Sequence, residues 1–498
     1  MRQRNTTTGL TIALALAMAA CSSGGSSSSS QATVPPGLNG TTAVSSAPST
    51  DPITTTTVAA APAVAVAATC PDGAGSSLSC FTVAVPVDPA AGATPAVNLA
   101  VTVRRADSSV WTAPVLSILG TAPGYPWTDP NASSVFTGHD MIWIDQRGAG
   151  RSDGVTNCPD VANFPGDVHT DNLSPAAIAA FAACFAKVQT SVVPFASMFD
   201  HALVAADFEI VRRALGIEKW ALYAGSAGAD IALHLVDINP SSVTALVSRT
   251  PTAVGAGGSM NDLAAAFGRF ADDCAAAPKC SAKGDLKQAL AAVYQRDANP
   301  VTTKTVDPGS GRPIVLDRHS LIDSMHAIGS TALAPLVPDL LPGGVDGSSD
   351  EQVAQAFVSN PIDALAWAYV AHCQNLDYTY PGLVTTANDQ AGIFADYTPK
   401  RFCDAVGPLP QYSPRAKPTS AIPVLAVLPS YDPRSSVTTL KGLFSGFANT
   451  TIVEVPRIVD PIAQLRDCFF ATANAFLAAP TAALDTSCLT SPAVATLS

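Results

Sequence analysis

The sequence is poor in basic residues and in histidine. It has 27 Lys and Arg against 39 Asp and Glu, which gives a formal net charge of -12. Proteins that bind nucleic acids present a basic patch to the phosphates; no basic stripe stands out here, so we expect no nucleic acid partner. Only 7 of the 498 residues are histidine, and none follows His372. The C-x-x-C spacing and clustered histidines of a metal site are also missing, and the sequence implies neither a metal nor an organic cofactor.

The apolar run at the N-terminus is short. Residues 10–20 are apolar, but a bilayer-spanning helix needs roughly 20 such residues. Arg2 and Arg4 precede the run, and Met18-Ala19-Ala20-Cys21 closes it. This order resembles a bacterial lipoprotein signal, residues 1–21, in which Cys21 is lipidated after cleavage. An ordinary secretory signal is the alternative. Both predict an exported chain, and the first predicts a cell-envelope lipoprotein on the outer face of the membrane, attached through its lipid anchor only.

Charge is almost absent from residues 22–66, which are mainly Ser, Thr, Ala, Pro and Gly. Such a segment buries too little apolar surface to offset the entropy lost on ordering. We therefore expect a disordered tether that holds the folded part of the chain away from the membrane.

The cysteines agree with export. Leaving out Cys21, ten remain, and they form five couples that are adjacent in sequence. An even number of local pairs in an exported chain indicates disulfides. The predicted pairs are Cys70 with Cys80, Cys158 with Cys184, Cys274 with Cys280, Cys373 with Cys403, and Cys468 with Cys488.

From about residue 80, strand and helix patterns alternate, which predicts an α/β fold with a mostly parallel sheet covered on both faces. Residues 81–87 and 97–104 are expected to form an antiparallel opening pair. Residues 202–215 have the periodicity of an amphipathic helix, which Gly216 ends. Further strands are predicted at 115–119, 141–144, 220–223, 243–247, 422–428 and 451–455.

Residues 256–415 differ from the segments around them. Helical stretches are broken there by turns rich in Pro and Gly. A helical insertion between two late strands is typical of a cap that covers a substrate site; a separate helical domain is the alternative. The sequence thus predicts a core in two parts, 67–255 and 416–498, with a cap at 256–415.

Ser226 lies in Tyr223-Ala224-Gly225-Ser226-Ala227-Gly228, between a predicted strand and an apolar helix. A serine in that position stands on a sharp turn that needs small neighbours, as in the G-x-S-x-G nucleophile elbow. The turn directs the hydroxyl to a helix N-terminus, where the N–H of Ala227 can face a developing oxyanion. A small-residue turn without chemistry is the alternative.

The chain resembles the α/β-hydrolases, and among them the secreted tripeptidyl aminopeptidase and proline iminopeptidase branch. The resemblance covers residues 67–498 and implies an α/β-hydrolase fold with a helical cap. It also implies that Asp145 and Arg147 support the loop beside the active site and are not catalytic. It rests on residues 80–88, on Asp145-Gln146-Arg147-Gly148-Ala149-Gly150-Arg151-Ser152, on 206–216, on the Ser226 turn and on 423–433.

The same resemblance implies the catalytic groups. Ser226 would be the nucleophile and Asp432 the triad acid; for Asp432 a turn-capping role is the alternative. Ala227 would form the oxyanion hole together with Ala122 or Gly124, although this loop lacks two of the glycines expected there.

The triad histidine is missing from its expected position. The family places it after the last strand, where this chain has Asp460. A carboxylate titrates near pH ~4 when unperturbed and is a poor base for a serine hydroxyl. His201, at the start of the helix before the Ser226 strand, is a possible substitute base, with a capping or surface role as the alternative. His234 lies eight residues along the elbow helix, roughly 12 Å from Ser226 by helical rise.

Two functions follow from the sequence. The first is an exported serine hydrolase of peptidase type with an incomplete triad, acting on a peptide or a small ester or amide. The second is a catalytically inactive pseudohydrolase, a surface lipoprotein whose cleft binds a peptide or another ligand. An aminopeptidase would need a carboxylate in the cap to hold the substrate's α-amine, and four are available: Asp346, Asp350, Glu351 and Asp363.

Overall fold

The structure is a computed structural model of the whole chain. It describes residues 63–70, 78–88, 95–106, 113–119, 136, 138–154, 164, 174–189, 200–226, 228–251, 260–282, 284–285, 287–288, 300–317, 350–351, 354–355, 419–432, 436–458 and 460–490.

Eleven strands and eight α-helices lie within these segments. The strands are β1 Ala65–Ala68, β2 Leu78–Pro86, β3 Ala96–Arg104, β4 Val115–Leu119, β5 Met141–Ile144, β6 Trp220–Ser226, β7 Val243–Pro251, β8 Val301–Val306, β9 Pro313–Leu316, β10 Ser420–Pro429 and β11 Phe447–Val455. The helices are α1 Pro175–Gln189, α2 His201–Ala214, α3 Gly228–Ile238, α4 Met260–Ala276, α5 Pro278–Ser281, α6 Val437–Leu443, α7 Pro461–Ala478 and α8 Ser487–Thr490.

Nine strands form one sheet in the order β1-β2-β3-β5-β4-β6-β7-β10-β11. The pairs β1/β2, β2/β3 and β3/β5 are antiparallel, and all the others are parallel. This confirms the predicted antiparallel opening and mostly parallel sheet. Because the parallel strands run in one direction, β6, β7, β10 and β11 end along a single side of the sheet, which we call the carboxyl edge.

Both faces of the sheet are buried, as the near-continuous apolar runs of its strands predict. On β10, Val424 and Ala426 pack against the face covered by α2 and α3. Leu425 and Val427 point to the other face, which α7 covers. The sheet therefore separates α3 from α7, although both helices begin at the carboxyl edge.

The loop 145–152 is held to the sheet by its polar side chains. Arg147 is fully buried and donates two hydrogen bonds of 2.7 Å to the carboxylate of Asp207 on α2. It also donates to the carbonyls of Pro86 and Val87. Burial raises the pKa of Asp207 to about 6, although the bonds from Arg147 lower it. These four bonds attach the loop to β2 and α2, in agreement with a supporting role for Arg147.

Gly150 shows why this loop needs glycine. Its φ is +55°, and a Cβ there would lie 2.5 Å from Cγ of Asp145. The Asp145 carboxylate accepts the backbone N–H of Arg151 at 3.0 Å, which closes the turn.

Three of the predicted cysteine pairs are disulfide-bonded in the structure: Cys70 with Cys80, Cys274 with Cys280 and Cys468 with Cys488, with S–S distances of 2.05, 1.98 and 1.95 Å. The first joins the residues after β1 to β2. Cys158, Cys373 and Cys403 lie outside the described residues, and of Cys184 only the helical backbone is described.

The structure differs from the sequence predictions in the tether and in the cap. β1 begins at Ala65, two residues inside the segment expected to be a tether, because its backbone pairs with β2. In the predicted cap, α4 is helical as expected, but β8 and β9 form a two-stranded antiparallel sheet that the helical interpretation missed. Among the described residues, no helix has the length and apolar character needed to cross a membrane.

The buried ion pair generates a stability prediction. Asp207→Ala should lower the free energy of unfolding by about 3 to 5 kcal/mol, because it leaves the Arg147 charge buried without its partner. Urea denaturation measures the change. Arg105→Ala is the control, since it removes the exposed pair between Arg105 and Asp140 and should cost less than about 1 kcal/mol. If both variants lost the same amount of unfolding free energy, the ion pair of Arg147 and Asp207 would not have the stabilising role that its burial predicts.

Candidate active site

Ser226 ends β6 with a left-handed backbone, φ +53°, and α3 begins two residues later. A positive φ is uncommon for a residue other than glycine and marks a position that the surrounding structure enforces. At the preceding residue, Gly225, a Cβ would lie 3.3 Å from Leu119 and 3.5 Å from Arg249. The strand thus turns sharply between crowded neighbours, which is the geometry of a nucleophile elbow.

Asp432 follows β10, two strands from β6 in the sheet, and only 1% of it is exposed. Its loop is fixed to the residues around the end of β11. The N–H of Ser430 donates to the carbonyl of Val455 at 2.9 Å, and that of Tyr431 donates to Ile458 at 3.0 Å. Asp432 therefore lies on the same edge as Ser226, in a loop that backbone hydrogen bonds hold to the end of β11.

The first helix of the predicted cap holds this loop from the other side. Arg269 of α4 donates from Nε and Nη2 to the carbonyl of Ser430, at 3.0 and 2.8 Å. Asp273 of α4 accepts a hydrogen bond from the Tyr431 hydroxyl and lies 3.4 Å from Nε of Arg457. Burial and the bond to Asp273 raise the pKa of Tyr431 above its usual range. The position of the Asp432 loop is therefore coupled to α4.

Asp460 lies after β11, where the resemblance expects histidine, and both of its oxygens are engaged. Oδ1 accepts the N–H of Ile462 at 2.8 Å, which caps the N-terminus of α7. Oδ2 forms an ion pair of 2.6 Å with Nη1 of Arg249, the residue of β7 paired with Gly225. Each carboxylate oxygen of Asp460 thus has a structural partner.

Arg249 completes this arrangement beside the elbow. Its Nε donates to the hydroxyl of Tyr223 at 3.0 Å, and Tyr223 lies on β6 three residues before Ser226. Burial lowers the pKa of Arg249, but Asp460 and Tyr223 more than offset it, so the pKa is raised above its ordinary value. A guanidinium in this state cannot accept a proton.

His201 has a carboxylate partner. It is the first residue of α2, it is buried, and its Nδ1 lies 2.8 Å from Oδ2 of Asp230. Asp230 belongs to the first turn of α3, the helix that follows Ser226. The same oxygen of Asp230 lies 3.5 Å from Nε2 of His234, one turn further along α3. The alternative of a surface role for His201 does not fit its burial.

The structure brings Ser226, Asp432, Asp460 and His201 to the carboxyl edge. Asp432 and Asp460 follow strands on one side of β6, whereas His201 lies on the face covered by α2 and α3. Glu351, a candidate for amine binding in the cap, accepts bonds from the backbone of Lys304 and the hydroxyl of Thr305 on β8. Residues outside the described part of the chain are Cys21, Ala122, Gly124, Ala227, Asp346 and Asp363.

Sequence reasoning missed Arg249 and Asp230. Both carried a signal, because each is a charged residue inside an otherwise apolar stretch at the carboxyl edge: Arg249 near the end of β7 and Asp230 in the first turn of α3. No group of three or more His, Cys, Asp or Glu among the described residues has the arrangement of a metal site.

The chain is similar to several solved structures. Similar solved structures include a proline iminopeptidase of Mycobacterium smegmatis (15% identity, TM-score 0.35, covering 80% of this chain and 97% of that one). A proline iminopeptidase-related protein of Thermus thermophilus has 14% identity and a TM-score of 0.36, covering 80% and 98%. The esterase RhEst1 of Rhodococcus has 13% identity and a TM-score of 0.37, covering 76% and 95%. No curated protein matches the sequence.

The family described as "alpha/beta hydrolase fold" matches residues 120–300, which include the Ser226 elbow. This match and the elbow at the end of a parallel strand agree with the fold that the sequence predicts. The chain has the α/β-hydrolase fold.

Proposed function

We propose that this chain is an exported serine hydrolase of peptidase type, similar to tripeptidyl aminopeptidases, in which aspartate replaces the triad histidine. The observation that carries the proposal is the elbow of Ser226, whose positive φ places it between β6 and the N-terminus of α3. A helix N-terminus stabilises a developing negative charge, as acyl transfer requires. Asp432 supports the proposal because it is buried and held rigidly on the same edge.

The substrate class rests on the sequence motifs and on the cap. The loop 145–152 is one of the features that resemble the tripeptidyl aminopeptidase branch, and the helical segment 260–276 belongs to the predicted cap. Since α4 holds the loop of Asp432, the insertion lies next to the proposed catalytic groups. We therefore propose a peptide as substrate; a small ester or amide would use the same acyl chemistry.

One observation favours a second function. Where the resemblance expects the triad base, Arg249 and Asp460 form an ion pair, and Asp460 also caps α7. Losing the histidine of a Ser-His-Asp triad costs on the order of 10⁶ in kcat in subtilisin. A protein with no replacement base would be an inactive pseudohydrolase that binds a peptide or another ligand in its cleft.

A fluorophosphonate probe separates the two functions. The probe forms a covalent bond to a serine oxygen only when that hydroxyl is activated. The hydrolase proposal expects the wild-type protein to be labelled, and expects Ser226→Ala to abolish the labelling. Ser445→Ala, which changes an exposed serine after α6, is the matched control and should label like the wild type. An unlabelled wild-type protein would reject the hydrolase and leave the pseudohydrolase.

The proposed location is the outer face of a bacterial cell membrane, with Cys21 carrying the lipid. In cells that express the full chain and are fed radiolabelled palmitate, the wild-type protein should incorporate the label. Cys21→Ser should remove the label, because it takes away the thiol that is acylated. Label that persists in Cys21→Ser, or a wild-type chain without label, would contradict the lipid anchor.

A further inference from the structure

We infer that Arg249 binds a carboxylate of the substrate beside Ser226. The preferred substrate is then a peptide with an acidic group within two residues of the bond that is cleaved. This specificity rests on the proposed function, in which Ser226 is the centre of the substrate site.

Arg249 lies next to the elbow. It is on β7, the strand that neighbours β6, and its Cα pairs with that of Gly225. A Cβ at Gly225 would be 3.5 Å from Nε of Arg249. Since consecutive Cα atoms are about 3.8 Å apart, Nε lies no farther than about 9 Å from the Cα of Ser226. An extended peptide advances about 3.3 to 3.6 Å per residue, so a carboxylate two residues from the attacked carbonyl reaches the guanidinium.

The guanidinium has more donors than its protein partners use. Of its five N–H groups, the one on Nε donates to Tyr223 and one on Nη1 donates to Asp460. Within the described part of the chain, no group accepts a hydrogen bond from Nη2. The side chain is 15% exposed and Nη2 is not a buried atom, so solvent reaches this nitrogen. An anion in the cleft can therefore bind there without displacing Asp460.

The charge of Asp460 is shared between two positive groups. Its Oδ2 pairs with Arg249, while its Oδ1 accepts the N–H of Ile462 at the N-terminus of α7. A helix N-terminus carries a partial positive charge. Asp460 therefore leaves a net positive potential at Nη2, and arginine keeps its charge at any pH at which the protein is folded. Guanidinium groups also match the planar geometry of carboxylates.

The end of β7 has a strained backbone beside the elbow. Gly225 pairs with Arg249 but Ser226 pairs with Pro251, so Thr250 is an extra residue, as in a β-bulge. Its φ of +44° is an outlier for a β-branched residue. The hydroxyl of Thr250 is buried and has no partner among the described residues, so no hydrogen bond of this side chain offsets the strain. Strained residues and bulges cluster next to active and binding sites, which supports a functional role for this end of β7.

The other arginines at the carboxyl edge are less suitable. Arg269 uses Nε and Nη2 on the carbonyl of Ser430. Arg457 pairs with Asp273 of α4. Both hold the loop of Asp432, which follows β10, whereas Arg249 lies on the strand adjacent to Ser226.

Calorimetric titration with short peptides tests this specificity. The protein is the full chain with Ser226→Ala, so that no peptide is cleaved. Trialanine carries a C-terminal carboxylate, Ala-Asp-Ala amide carries a side-chain carboxylate, and Ala-Asn-Ala amide has neither. At least one acidic peptide should bind about 10 to 100-fold more tightly than the Asn peptide, the usual contribution of a hydrogen bond to a charged group. The tighter of the two acidic peptides identifies the source of the carboxylate.

Substitutions of the two paired residues should change this preference in opposite directions. Arg249→Gln should reduce it to within about twofold, because the cation is lost. Asp460→Asn should raise it by about threefold or more, because a competing carboxylate is removed and asparagine still caps α7. A purely structural pair would instead weaken all three peptides equally in both variants. Arg105→Gln is the matched control, since it breaks the exposed pair with Asp140 before β5, and it should leave the preference unchanged.

A double variant guards against misfolding. Arg249→Gln combined with Asp460→Asn leaves no unpaired charge and keeps the helix cap, so it should fold like the wild type by circular dichroism and lack the preference. Overturning results are a preference that persists in this double variant, equal binding of acidic and uncharged peptides to the Ser226→Ala protein, or no binding of any of the three.

Fluorophosphonate labelling separates this result from the hydrolase function. If Ser226 is labelled but the protein has no preference for a carboxylate, the hydrolase remains and the specificity is wrong. If the protein is not labelled but has a preference that depends on Arg249, the carboxylate site is supported and the hydrolase is rejected.

Discussion

The ion pair between Arg249 and Asp460 determines how the carboxyl edge of this sheet is organised. It joins the end of β7 to the beginning of α7 across 2.6 Å, and through Tyr223 it reaches the strand that carries Ser226. Because Asp460 also caps α7, its carboxylate is bound on both oxygens. Asp460→His alone would leave the Arg249 charge without its partner beside the new imidazole. Asp460 is thus built into the packing of three elements, β6, β7 and α7.

The proposed catalytic groups, Ser226 and Asp432, are held in place by separate contacts. The elbow constrains Ser226 through backbone geometry and the crowding at Gly225. The loop of Asp432 is fixed by backbone bonds near β11 and by Arg269 of α4. The pair of His201 and Asp230 lies across the sheet from Asp460.

Local sequence patterns predicted much of the fold, because an apolar run or a turn of small residues can be recognised from residues that are close together in the sequence. The strands 115–119 and 141–144 agree residue for residue with β4 and β5, and the elbow at Ser226 agrees as well. Contacts between side chains that are far apart in the sequence could not be predicted from local patterns. Arg249 and Asp460 are 211 residues apart, and no local pattern specifies their contact. The hairpin of β8 and β9 was missed because the surrounding residues have helical patterns.

The central claim is that Asp460 supports the structure and does not act as the base for Ser226. The most direct test is the fluorophosphonate rate constant of Asp460→Asn. Asparagine caps a helix as well as aspartate does and still offers an oxygen to nearby donors, but it cannot take up a proton as a carboxylate does. The account predicts a rate within about threefold of the wild type, since the loss of a general base would cost about 10² to 10⁴-fold. A loss of that size, in a variant that remains folded by circular dichroism, would contradict it.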